Sequence, residues 1–119
     1  MHYPLSYCTN VHPCRSRHDL ERIIAQEASS VRDQCGFDIG IGLWLPSVVI
    51  SEIAHDSEAT QSIANALDDQ RLPCYSLNAF PFGDFHSERV KENVYLPDWS
   101  DVRRLDYTRS CSKFLAGIL

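Results

Sequence analysis

The chain has 119 residues, 44% hydrophobic and 23% charged, which suits one ordinary folded domain and excludes global disorder. A net charge of −5, with its eleven lysines and arginines scattered, excludes the basic stripe that a nucleic-acid binder needs. No apolar run reaches membrane-spanning length, and the amino terminus MHYPLSYCTNVHP lacks the charged-then-apolar order of a signal peptide. The expectation is a cytoplasmic protein with no nucleic-acid partner and no membrane insertion.

Three units of similar build follow one another. Residues 5–11 form a short β-prone run closed by His12-Pro13. Ser16 then reads as the N-cap of a helix, with Asp19 near the positive end of its dipole. Leu20, Ile23, Ile24, Ala28 and Val31 give that helix an apolar stripe, and Gly36 is placed to stop it in a left-handed conformation. Residues 37–45 make the second strand, where apolar residues alternate with Gly40 and Gly42 as if its other face met closely packed backbone. A short helix over 48–54 follows. Asp56 caps a longer one carrying Ile63, Ala64 and Leu67, with Leu72 near or beyond its end. Residues 74–80 form the third strand. The last helix is expected to start at Ser100 and to bury Val102, Leu105, Cys111, Phe114, Leu115 and Ile118 on one face.

The five cysteines, Cys8, Cys14, Cys35, Cys74 and Cys111, are an odd set with no C-x-x-C pair, which argues against a disulfide framework or a structural zinc site. Cys8 and Cys74 lie in strand-like runs and are expected to be small buried hydrophobes.

Alternating strands and helices dictate an α/β fold with a parallel sheet. Three helices cover one face of such a sheet, leaving the other face and both edges open. Gly40 and Gly42 sit within a strand and not after it, so the dinucleotide-binding pattern is missing. A (β/α)8 TIM barrel of about 250 residues is the better host, with this chain as its first three βα units: an incomplete barrel. Self-association of such a fragment is expected, to cover the open sheet.

Chemistry in barrels sits at the carboxyl ends of the strands. Those positions hold Asn10 and His12, then Trp44 and Ser47, then Asn78, Phe82, Asp84, His86, Arg89 and Lys91. The stretch 77–99 is too polar for a core and too aromatic for a spacer. His86 is a candidate catalytic base and metal ligand, and Lys91 a catalytic cation. Arg89 suits an anionic group of a substrate, while Asn10, His12, Asn78 and Phe82 are substrate-binding candidates. Plainer readings stand beside these. His12 can close a turn with its ring bonded to backbone, Asn10 and Asn78 can mimic backbone at strand ends, and Arg89 and Lys91 can pair with Glu88 and Glu92. Phe82, Phe85, Tyr95 and Trp99 can line a pocket or merely pack a long loop.

The pieces LSYCTNVHP at 5–13, SLNAFPFGDFH at 76–86 and VKENVYLPDWS at 90–100 resemble the metabolite-traffic proteins of the EboE type, within the xylose-isomerase-like TIM-barrel superfamily. The resemblance covers nearly the whole chain in order. The family pattern has glycine and glutamate after His-Pro, where this chain has Cys14 and Arg15, and favours glycine where it has Ala79 and Ser87. The resemblance implies that residues 1–119 are the amino-terminal portion of one longer barrel domain linked to secondary-metabolite trafficking. It further implies a small-molecule metabolite as partner and a divalent metal in the complete protein, His86 being the ligand this chain would supply. The expected activity is a metal-assisted isomerisation or epimerisation of a sugar-like molecule, with little or no turnover by this chain alone. The alternative is a non-catalytic carrier or assembly component.

Overall fold

The computed structural model of the chain describes residues 5–83 and 91–119, with 91 and 92 described by their backbone alone. Strands β1 (Ser6–Cys8), β2 (Gly40–Trp44) and β3 (Cys74–Asn78) form a parallel sheet in the order β1-β2-β3. Between β1 and β2, α1 (Arg17–Arg22), a π-helical stretch (Ile23–Ala28) and α2 (Ser29–Gln34) run on as one helix. Helices α3 (Ser47–Ile53) and α4 (Ser57–Asp69) join β2 to β3, and α5 (Val102–Ile118) follows β3. The chain is therefore an α/β protein built on a three-stranded parallel sheet, as its alternating elements require.

Local chemistry explains most element ends. Ser16 caps α1 by accepting from the Asp19 amide at 3.1 Å, and Asp56 caps α4 by accepting from the Ala59 amide at 3.1 Å. Helix α4 stops at a left-handed Arg71 (φ 53°), and paired bonds from Arg71 N to Asp68 O and from Leu72 N to Leu67 O close its last turn. Leu72, just past that end, is fully buried. Two expected caps fail. Gly36 does not take a positive φ, because α2 has already ended in an extended Cys35. The cap of α5 is Asp101, which accepts from the Arg103 amide at 2.9 Å, because the Ser100 hydroxyl is spent on Asp98.

The strands are also shorter than the sequence suggests. β1 ends early because the buried Thr9 side chain takes over the ladder, its Oγ1 accepting from the Trp44 amide at 2.9 Å. The backbone is then free to turn through a 3-10 segment, Thr9–Val11, closed by the His12 amide on Thr9 O.

Register sorts the sheet residues by face. Ile41, Leu43 and Leu45 are fully buried with Leu20, Ile23 and Ile24 of the first helix, Val49, Ile50 and Ile53 of α3, Ile63 and Leu67 of α4, and Phe114 of α5. Tyr7 opposite Ile41 and Leu77 opposite Leu43 pack against the same core. The alternate residues on the other face are Ser6, Cys8, Gly40, Gly42, Ser76 and Asn78, all small or polar, and Trp44 at the end of β2 opposite Asn78. Ser6, Cys8, Ser76 and Asn78 are exposed. The expected burial of Cys8 is thus corrected. Its strand position points away from the helices, and Cys14 and Cys111 are the buried thiols.

A register shift between Ile41 and Gly42 leaves Tyr75 as the extra residue of β3. Its ring lies over Gly40, where an added Cβ would come within 2.3 Å of the ring and 2.7 Å of Pro73 O. Gly40→Ala is therefore expected to cost about 1–3 kcal/mol by overpacking. Gly36→Ala meets nothing within 4 Å at a residue without positive φ. It should be neutral or stabilising by up to about 1 kcal/mol. Urea unfolding of both variants checks the pair, and equal effects would contradict the packing at Gly40.

Candidate functional site at the strand carboxyl ends

The carboxyl ends of β2 and β3 are joined by side chains that reach backbone carbonyls. The Trp44 indole Nε1 donates to Pro81 O at 2.9 Å, and the Tyr107 hydroxyl donates to Leu45 O at 2.5 Å while lying 3.2 Å from Pro81 O. Arg104 Nη2 donates to Ala79 O at 2.9 Å, and the Ser47 amide donates to Phe82 O at 2.7 Å. The carbonyls of Ala79, Pro81 and Phe82 are thereby all fixed. The loop leaving β3 is built onto the loop leaving β2.

Arg104 is the unusual member. It is only 8% exposed, and its guanidinium carbon lies 5.2 Å from the Trp99 ring centre, 5.3 Å from Phe80 and 5.8 Å from Tyr107. Among the described residues it makes no ion pair, and its Nε has no hydrogen-bond partner. Among the described residues, three rings and one carbonyl surround the cation. Phe80 also stacks at 5.8 Å on Tyr95, so rings before and after residues 84–90 meet beside this arginine.

The buried face of α5 is consequently Arg104, Tyr107, Cys111 and Phe114, whereas Val102 and Leu105 are exposed. The expected face holds at Cys111, Phe114 and Ile118 and is out of phase in the first turns, where Arg104 and Tyr107 are buried in place of Val102 and Leu105. The spacing 104, 107, 111, 114 carries the signal once Arg104 is counted as buried. Burial pushes the Tyr107 hydroxyl well above the ordinary phenol range, with the neighbouring Cys111 adding to it. Burial likewise raises the Cys14 and Cys111 thiols to about 11.

The residues expected at the site fall in different places. His12 is half-buried, and its ring bonds the Tyr7 hydroxyl at 2.5 Å, a side chain and not the backbone of the turn. Asn10 is half-buried in the 3-10 turn, and Asn78 is exposed at the end of β3, opposite Trp44. Phe82 meets Tyr107 edge-on at 5.1 Å and lines a cleft of about 300 Å³ between α3 and α5, on the helical side of the sheet. His86 and Arg89, with Asp84, Phe85, Ser87 and Glu88, lie outside the described residues, and of Lys91 and Glu92 only the backbone is described. Among the described residues no group of three or more His, Cys, Asp or Glu is placed to hold a metal ion. No described helix is long and apolar enough to cross a membrane.

Fold and site together define an α/β protein with a parallel three-stranded sheet whose carboxyl rim is pinned through backbone carbonyls. No protein-family model matches the chain, and neither the curated proteins nor the solved structures give a match.

Removing the Tyr107 hydroxyl (Tyr107→Phe) leaves the buried Leu45 carbonyl without this donor and should cost about 1–3 kcal/mol in urea unfolding. A change under about 0.5 kcal/mol, the range of ordinary surface substitutions, would contradict the role given to it. The thiols predict an alkaline limit. Cys14 and Cys111 keep their protons in the folded chain up to about 11, above their ordinary value of 9.0. The unfolded chain therefore releases protons first, and stability should fall as pH rises from about 9 to about 11. Thermal melts across that range test it, and the slope should flatten in a Cys14→Ala, Cys111→Ala double variant.

Proposed function

We propose that this chain forms three βα units of a barrel of the xylose-isomerase-like kind, similar to the EboE-type metabolite-traffic proteins, and binds a small sugar-like metabolite at its strand carboxyl ends. The observation that carries the reading is the open face of the sheet. A doubly wound fold needs an apolar second face to seat another helical layer, and it reverses strand order at the crevice where ligands bind. Here the second face presents Ser6, Cys8, Gly42, Ser76 and Asn78 with two rings among them, Trp44 opposite Asn78 and Tyr75 over Gly40, and the order β1-β2-β3 never reverses. Small and polar positions beside the Trp44 ring leave room for side chains from further strands, which fill a barrel interior in layers.

In this reading the amides of Asn10 and Asn78 meet ligand hydroxyls, and Arg89 holds an anionic group where the metabolite carries one. Phe82 acts at a distance, by fixing the rim against Tyr107. The metal implied by the resemblance would take His86 from this chain, and among the described residues no group of three or more His, Cys, Asp or Glu is placed to hold one. In this reading His86 moves a proton and Lys91 steadies negative charge. A carrier role is favoured by a different observation. Trp44, Arg104 and Tyr107, the large polar-tipped side chains of the described rim, are all spent on backbone carbonyls. Such groups shape a pocket without reacting in it.

Two measurements test the reading. In equilibrium binding to D-ribose and erythritol, Asn78→Ala should weaken the affinity about 2- to 10-fold, the worth of one neutral hydrogen bond. No detectable binding to either probe would count against a sugar-like ligand. Proton exchange at the carbon beside the carbonyl of bound D-ribose, lost in His86→Ala, would select the enzyme, and binding without exchange the carrier. The open face itself is read through Cys8, the exposed thiol. Cys8 should react quickly with a maleimide in dilute solution and more slowly as concentration rises, because self-association covers the sheet. Concentration-independent labelling of a chain that stays monomeric would contradict the uncovered-barrel geometry.

A further inference from the structure

At the end of β1, the Tyr7 phenolic oxygen and His12 Nε2 stand 2.5 Å apart, with the two rings tilted at 55°. Both side chains are half-buried. The phenol is the stronger acid of the two and the imidazole nitrogen the stronger base, which favours an O–H donating to nitrogen over an N–H donating to the phenol oxygen. The Tyr7 hydroxyl has no other hydrogen-bond partner among the described residues. A reversed bond would leave its proton to solvent alone in a half-buried place, at the loss of a protein partner. Both arguments make the phenol the donor and Nε2 the acceptor. The neutral ring must then carry its proton on Nδ1, for which the described residues supply no acceptor.

Tyr7 is well held for this task. Its strand position opposite Ile41 packs it against the core. The helix beside it presents Glu27, itself ion-paired to Arg22 five residues earlier, a spacing that the π-helical stretch brings into line. Burial, with the Glu27 charge adding to it, raises the phenol above its ordinary value, so it is a donor at and around neutral pH.

We propose that Tyr7 is a positioning residue that locks His12 in the Nδ1–H tautomer. His12 then meets a ligand as a hydrogen-bond donor to a hydroxyl or carbonyl oxygen, and its Nε2 is withheld from metal ligation. This assignment makes His12 a recognition group for an oxygen-rich ligand and not a base, because the lone pair that would take a proton is already engaged. The choice of ligand rests on the sugar-like reading above. The tautomer does not.

The test is a long-range proton–nitrogen correlation spectrum of the imidazoles in the nitrogen-labelled full chain at pH 8, with His12→Gln identifying the signal among five histidines. The expected result is a predominantly Nδ1–H pattern for His12, opposite to the preference of a free imidazole. Tyr7→Phe removes only the hydroxyl and should return His12 to the Nε2–H pattern with the circular dichroism spectrum unchanged. A wild-type His12 in the Nε2–H form overturns the proposal, as does a folded Tyr7→Phe chain that keeps the wild-type pattern. Should that variant not fold, the wild-type pattern alone decides. Failure to bind D-ribose counts against the ligand reading and leaves the tautomer result standing, so the two failures are distinguishable.

Discussion

The carbonyl of Pro81 is the point on which the strand carboxyl ends depend. It takes the Trp44 indole N–H, with the Tyr107 hydroxyl close by, so one residue each from β2 and α5 reaches a single turn after β3. All three groups are buried, and a buried carbonyl left without a donor costs more than one hydrogen bond gains. The arrangement therefore holds by penalty as much as by attraction. Any movement of the β3 loop away from β2 would strand the Trp44 donor and the Pro81 acceptor together.

Arg104 extends this arrangement along the same loop. Taking a guanidinium out of water costs several kcal/mol, and each ring contact returns about 0.5–2 kcal/mol. Three rings and the Ala79 carbonyl bring those magnitudes into balance, which is why an arginine can occupy an α5 position that hydropathy would give to leucine. The same contacts fix Phe80 and Trp99, the rings on either side of residues 84–90, beside one cation. The stretch that looked most functional in the sequence thus leaves from and returns to a rigid base, the condition under which a loop can present side chains to a ligand.

The order of elements was legible in the sequence because helix and strand periods differ and because Ser16 and Asp56 announce their helices by bonding the amide three residues on. Strand length was not legible. The turn after Cys8 depends on Thr9 bonding the Trp44 amide, a partner 35 residues away. The first turns of α5 were not legible for the same reason, since Arg104 is buried among rings from Phe80, Trp99 and Tyr107 that the fold assembles, whereas Cys111 and Phe114 keep the expected face. Of the expected rim residues, Asn10, His12 and Asn78 do follow their strands, as parallel topology demands. The partner of His12 was hidden in Tyr7, five residues earlier, where strand alternation turns its ring toward the helices and the 3-10 turn brings the imidazole back to it.

The two tryptophans allow the pinned rim to be tested in one spectrum. Trp44 is 1% exposed with its indole N–H on Pro81 O, and Trp99 is 67% exposed. Hydrogen–deuterium exchange of the two indole protons, followed by proton–nitrogen correlation, should show one signal protected far beyond the other. The protected signal should be the one lost in Trp44→Phe. Two indole protons exchanging at the same solvent-limited rate would contradict the account, because the carbonyl on which the rim depends would then have no lasting donor.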